Sequence, residues 1–380
     1  MKDEMTSMER VETTLRFEEP DRVPIFFPLL PLNLLTAEDS LRIGKDWKKV
    51  VELNDFVIEK YGVDITHVHS HQFVLPEVLG LKIKYRPDFL PCHGEIFWPD
   101  NYVLDMAVDP MNPDTLQALI DRIDFKDWLK SPLITTRLKA IKVLKEKYPD
   151  IPLMGEVEDP ISLFACLVGV SRSTVAAVNS PMLLLQFFEM VMPHLLEFVK
   201  LQVEAGADII FTLPIFFGSS IADKNIRDMM METIKPAIIE ITTKFKEAGA
   251  KYIMSHICME SIYLLDLLEE MGNSWNIDIM WIAESTDYGT AKRMANGAIT
   301  ITGGPHSMRH FLHGTPRQME QAVKYIIGQA APGGGFILSP ADESPYATPQ
   351  INNDTFINTA KKWGRYPIPI ELQRTSPWDL

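Results

Sequence analysis

The chain has 380 residues, 46% of them hydrophobic, and a formal net charge of −14. That is enough apolar material for a large core, and ordinary Gly, Pro and charged-residue content excludes fibrous and disordered classes. The acidity and the lack of a Lys/Arg run argue against a nucleic-acid partner, because phosphate binding draws on clustered cations.

The N-terminal stretch "MKDEMTSMERVETT" has no apolar segment of the signal-peptide kind. The first strands expected in chain order are "VPIFFPLL", "DITHVHS" and "IPLMGEVED". Between the second and third, "YRPDFLPCHGEIFWPDNYVLDMAVDP" is too rich in Pro and aromatics for a simple helix and is expected to form an excursion over one end of the fold. "PMLLLQFFEMVMPHLLEFVKL" is broken by Gln186, Glu189, His194 and Glu197, so a buried helix is expected there and no membrane span.

The second half repeats a unit in which a helix closes on a Gly-containing turn and an apolar strand follows. "EAGAD" leads into "IIFTLPI", "EAGAK" into "YIMSHIC", "MANGA" into "ITITGGP" and "APGGG" into "FILSPAD". Gly206, Gly249, Gly297 and one of Gly333 to Gly335 suit the left-handed position that ends a helix. "NIDIMWIAES" adds a further strand. These strands are continuous apolar runs, the pattern of a parallel sheet buried on both faces. Eight strands alternating with helices suggest an α/β (β/α)8 TIM barrel, with residues 1–380 as a single domain. A doubly wound open sheet is the alternative. No Gly-rich phosphate loop follows the first strand, which weakens its dinucleotide-binding version.

In such a barrel, function sits at the C-terminal strand ends. His67, His69 and His71 follow or end the second strand, Glu156 and Glu158 the third, His256 and Cys258 the fifth, Glu284 the sixth, and Asp342 and Glu343 the eighth. Residues i and i+2 of a strand share a face, so His256 and Cys258 project together, as do Glu156 and Glu158. A His-x-Cys pair can hold two corners of a tetrahedral zinc, and Asp342 is the expected third ligand. Against this stands the frequency of buried cysteine in plain cores. Glu156 and Glu158 suit acid–base work or substrate anchoring, or else pair with arginines at the mouth. Phe216 and Phe217 of "TLPIFFGSS" floor an apolar pocket or simply pack. Only Cys92, Cys166 and Cys258 are present, too few and too scattered for a disulfide framework. A reducing cytoplasm is the expected setting.

"MERVETTLRFEEPDRVPI", "EAGADII", "SHIC", "FLHGTPRQMEQAVKYII" and "FILSPADESPYATPQINNDTFINTAKKWGRYP" resemble the uroporphyrinogen decarboxylase superfamily, in order and over nearly the whole chain. More narrowly they are similar to its cobalamin-linked methyltransferase branch. The resemblance implies a (β/α)8 barrel. It also argues against the decarboxylase: its catalytic aspartate falls on His71 in "HSHQFVLPEVLG", and its Arg-rich N-terminal stretch is replaced by "IFFPLLPLNLL". In the methyltransferase branch the fifth strand ends in a zinc-binding His-x-Cys, which His256 and Cys258 match. The branch's third ligand, a cysteine after the eighth strand, is replaced by Asp342 in "SPADESP". Asp342, Glu343 or Glu284 then completes the site, or the metal is lost.

The resemblance implies a zinc-dependent corrinoid methyltransferase acting with cobalamin carried by a separate corrinoid protein, as in O-demethylase systems. Glu158, at the position of the family's "EGP" glutamate, would orient substrate or assist proton movement. His71 is the second catalytic candidate, and Glu156, Phe216 and Glu284 are candidates for substrate contact. A methylcobamide:thiol methyltransferase, a metal-free lyase using His71 or Glu158, and a non-catalytic tetrapyrrole-binding barrel are the alternatives.

Overall fold

The computed structural model describes residues 3–28, 43–69, 74–79, 113–121, 123–169, 173, 175–176, 179–212, 224–257, 262–283, 286–345 and 347–374. His71, Phe216, Phe217, Cys258, Glu284 and the expected excursion at 85–110 lie outside these residues.

Eight strands form one parallel sheet in sequence order. They are β1 (Phe26–Phe27), β2 (Ile65–His67), β3 (Leu153–Glu156), β4 (Ile209–Thr212), β5 (Tyr252–Ile257), β6 (Ile279–Ile282), β7 (Thr300–Gly303) and β8 (Phe336–Leu338). A parallel bridge between Ile25 and Leu338 joins the last strand to the first and closes the barrel. An open doubly wound sheet has no such closure, so this alternative falls. The predicted helix-ending glycines 206, 249, 297 and all three of 333–335 have positive φ. Each turns the chain from a helix end toward the strand that follows.

The sheet is buried on both faces, as the continuous apolar runs predicted. Side chains alternate across each strand. Ile65, Met154, Ile209, Met254, Ile279 and Ile337 fill the barrel interior together with Phe26 and Val11. Ile210, Ile253, Ile301 and Leu338 point outward into the layer shared with the helices. Each such side chain contributes roughly 1.5–3 kcal/mol when fully buried.

The interior changes character one step up. Two residues beyond Ile65, Met154, Ile209, Met254 and Ile279 come His67, Glu156, Phe211, His256 and Trp281. The period of two keeps them pointing inward. They form the upper layer, at the C-terminal ends of the strands, on an apolar floor.

The apolar stretch at 181–201 forms part of the helix Pro181–Ala205, which runs through Pro193. It is the one helix among the described residues long and apolar enough to cross a membrane. One face is spent on the barrel: Leu184, Phe187, Val191, Leu195, Phe198 and Val199 are buried in the core. On the same face the Gln202 side chain accepts from Glu156 N at 3.0 Å and donates to Glu156 O at 3.0 Å. A core helix explains the composition, as the sequence reading expected.

Candidate functional site at the barrel mouth

His256 ends the inward face of β5. Its Nδ1 lies 3.0 Å from the Trp281 carbonyl oxygen. A carbonyl only accepts, so Nδ1 carries the proton and Nε2 is left as a bare lone pair. Burial lowers the pKa of this imidazole, against the opposing pull of Asp342 and of the Trp281 carbonyl, so the ring is neutral. Nε2 is buried and has no hydrogen-bond partner among the described residues. It faces Asp342 Oδ1 at 3.8 Å. The Trp281 ring lies against the imidazole, with centroids 4.1 Å apart, and its own Nε1 donates to Pro340 O at 3.0 Å. The tryptophan thus sets the tautomer of His256 and ties β6 to the β8 loop that carries Asp342.

Asp342 is partly exposed. Its Oδ1 accepts from Glu343 N at 2.7 Å, and its own N–H donates to Ser307 Oγ at 3.2 Å. Asp342 lies in the loop after β8 and not on the strand as expected, but it still faces His256. The two side chains, an imidazole nitrogen and a carboxylate oxygen 3.8 Å apart, are of the types that would hold zinc. The bare, partnerless Nε2 is the atom such an ion needs. The residues present fit a metal.

A second group occupies the ends of β2 and β3. His69 Nδ1 donates to Glu156 Oε2 at 3.0 Å. His67 Nε2 lies 3.4 Å from the same oxygen, without hydrogen-bond geometry. Arg137, fully buried on the helix Pro132–Lys147, donates to Glu156 O at 2.8 Å and to Oε2 at 3.3 Å. Burial pushes the Glu156 carboxyl up, but His69, Arg137 and His67 outweigh it and hold it well below its usual range. Burial pulls His69 down to about 4 despite Glu156, so this imidazole is neutral near pH 7.

Glu158 lies just past β3. Burial and then the Glu156 charge push its carboxyl up to about 8. Oε1 accepts weakly from Leu75 N at 3.4 Å, while Oε2 is buried without a partner among the described residues. Two carboxylates of like sequence context thus take opposite states: Glu156 is ionised and clamped, and Glu158 is a protonated acid. Between the two groups stands Phe211, whose ring centroid is 5.6 Å from that of His67 and 6.4 Å from that of His256.

The sequence offered His256, Asp342, His67, His69, Glu156 and Glu158 as candidates. The structure brings His256 to Asp342, and His67 and His69 to Glu156. The sequence did not mark Arg137 and Gln202, which reach the site from helices outside the barrel. It also missed Phe211 and Trp281, which the inward period of β4 and β6 could have found.

The family model for uroporphyrinogen decarboxylase (URO-D) matches residues 6–363. Two curated proteins of Methanosarcina barkeri named methylcobamide:CoM methyltransferase MtaA are 28% and 26% identical over 147 residues, 38% of this chain. The match spans 41% of the length of each of those relatives. A solved methyltransferase from Methanosarcina mazei superposes with a TM-score of 0.70 at 20% identity, over 94% of this chain and 99% of that one. That last likeness is one of fold. The family match covers nearly the whole barrel, from the first helix to the helix Gln350–Trp363, and so the chain belongs to the uroporphyrinogen decarboxylase family.

Proposed function

We propose that this protein transfers a methyl group between a small substrate and the cobalt of a corrinoid carried by a separate protein. The observation that carries this reading is the bare Nε2 of His256, buried and aimed at Asp342 across the mouth. The name of the Methanosarcina barkeri relatives, methylcobamide:CoM methyltransferase, supports the reaction class. The zinc residues are His256, Asp342 and Cys258, the last placed by its His-x-Cys spacing. Bound there, zinc supplies Lewis acidity toward an oxygen or sulfur atom of the substrate.

The protein's own residues do the rest. The Trp281 carbonyl keeps His256 in the tautomer that presents Nε2. Glu158, with its free Oε2, is positioned to hand over or accept a proton. Phe211 and Trp281 give the mouth an aromatic wall that excludes water and suits an apolar group. A carboxylate ligand leaves more positive charge on zinc than a thiolate does. We therefore place the substrate among ethers, methoxylated aromatics first, with a thiol of the coenzyme M type as the second class.

The test is zinc content and methyl transfer in wild type, His256→Ala, Cys258→Ser and Asp342→Ala. Methylation of cob(I)alamin is followed by absorbance, with methoxyarenes as donor, and the reverse direction with thiols as acceptor. One zinc fewer in each of the three variants than in the wild type, together with loss of transfer, is expected. Transfer that survives Cys258→Ser and His256→Ala undiminished, or the absence of transfer in either direction, overturns the reading.

A further inference from the structure

We propose that His67, His69 and Glu156 form a second divalent-metal site at the mouth, distinct from His256 and Asp342, that takes a first-row transition ion such as zinc. Each residue offers one ligand atom, and the three atoms lie within 4.8 Å of one another. All three residues are buried. His67 Nδ1 and Nε2 and His69 Nε2 find no hydrogen-bond partner among the described residues.

Buried imidazole nitrogens without partners are unfavourable in a core and are seldom left so. An ion would remove that cost at one nitrogen of each ring. Two imidazoles and a carboxylate are the protein ligand set of several catalytic zinc centres and of non-haem iron(II), and they leave positions open for a small molecule. The surroundings suit a ligating carboxylate. Arg137 holds Glu156 through both its carbonyl and Oε2, as outer hydrogen-bond partners do at metal centres. Gln202 fixes the same peptide from the other side.

The ligands come from adjacent strand ends, β2 and β3, so the sheet presets their spacing. Phe211 stands between this group and His256, which makes it a separate site on the same mouth. The proposal does not depend on the methyl-transfer reading, because its donor set shares no residue with the other one.

Cobalt(II) titration of the metal-free, full-length protein separates the two. An ion held by nitrogen and oxygen shows only visible ligand-field bands, whereas one held by Cys258 adds a thiolate charge-transfer band in the near ultraviolet. Two equivalents are expected in the wild type, one carrying that band. His256→Ala/Cys258→Ser should keep one equivalent without it. Adding His69→Ala should remove the remaining ion, and the milder His67→Gln should weaken it at least tenfold. Far-UV circular dichroism checks the fold of each variant. A single equivalent bearing the thiolate band in the wild type, or ligand-field bands that survive both His69→Ala and His67→Gln, overturns the second site. Missing thiolate character with intact nitrogen–oxygen bands sinks only the His256–Cys258 site.

Discussion

At the N-terminal ends of β1 and β2, Asp64 is fully buried and every neighbour serves it. Arg10 Nη1 donates to it at 2.6 Å, Arg22 Nη1 at 2.5 Å, Ile25 N at 2.8 Å and Ser7 Oγ at 3.0 Å. Arg10 also grips Asp21 with two parallel bonds of 2.6 and 2.8 Å. At the opposite ends of the strands, His67, His69, His256 and Glu158 are nearly as buried, yet each has a polar atom with no hydrogen-bond partner among the described residues. The low dielectric is the same around both groups, but their satisfaction is opposite. A saturated network stabilises and asks for nothing. Buried polar atoms left without partners are costly, and in a barrel of this kind the C-terminal strand ends are where a ligand would meet them.

The largest effect is expected where the saturated end is broken. Asp64→Ala leaves Arg10 and Arg22 buried without their shared counterion, and one-sided removal of a buried ion partner costs about 3–5 kcal/mol. Urea unfolding at pH 7 measures it. A loss below about 1 kcal/mol would mean that Asp3 and Asp21 compensate and that the network is less rigid than its geometry.

A smaller effect, with a pH signature, is expected at Asp21. Burial alone would raise its carboxyl, but the bonds from Arg10 and the amides of Glu4 and Met5 hold it well below the usual carboxylate range. A depressed folded pKa adds stability that is complete above the unfolded value, about 3.9. That contribution is lost as pH falls through the folded value. Asp21→Asn should cost about 1–3 kcal/mol at pH 7. The gap to wild type should narrow below about pH 4. Urea midpoints from pH 3 to 7 read both, and a gap that stays constant over that range would remove Asp21 from the network's charge logic.

How far each end could be foreseen follows from where its partners come from. The eight strands were legible because both faces of each carry apolar residues and each helix closes on a glycine such as Gly206 or Gly249. His256 and Glu156 were legible because a period of two puts polar residues above an apolar floor at strand ends, whereas Asp342 lies in the loop four residues past β8, beyond the reach of that period. Arg137 and Gln202 were not, since helical residues that dip into the barrel look like any amphipathic position. Nor was the Asp64 network: Arg10, Arg22 and Asp64 are joined across 54 and 42 residues, and nothing local marks them as partners.

The smallest expected change falls at the unsatisfied end, and it sharpens the comparison most. Neither nitrogen of His67 has a hydrogen-bond partner among the described residues. Its ring packs edge-on to His69 at 5.0 Å and to Phe211 at 5.6 Å. His67→Leu in metal-free protein therefore removes two desolvated polar atoms and keeps a side chain of similar bulk. Stability should be unchanged or raised by up to about 1 kcal/mol, within the range of well-packed polar-to-apolar replacements. Asp64, as deeply buried, cannot be replaced at that cost, because its oxygens are all in use. A loss of about 2 kcal/mol or more in His67→Leu would show that the imidazole is bonded as firmly as the carboxylate at the other end. The contrast between the saturated Asp64 network and the unsatisfied histidines of the mouth would then fail.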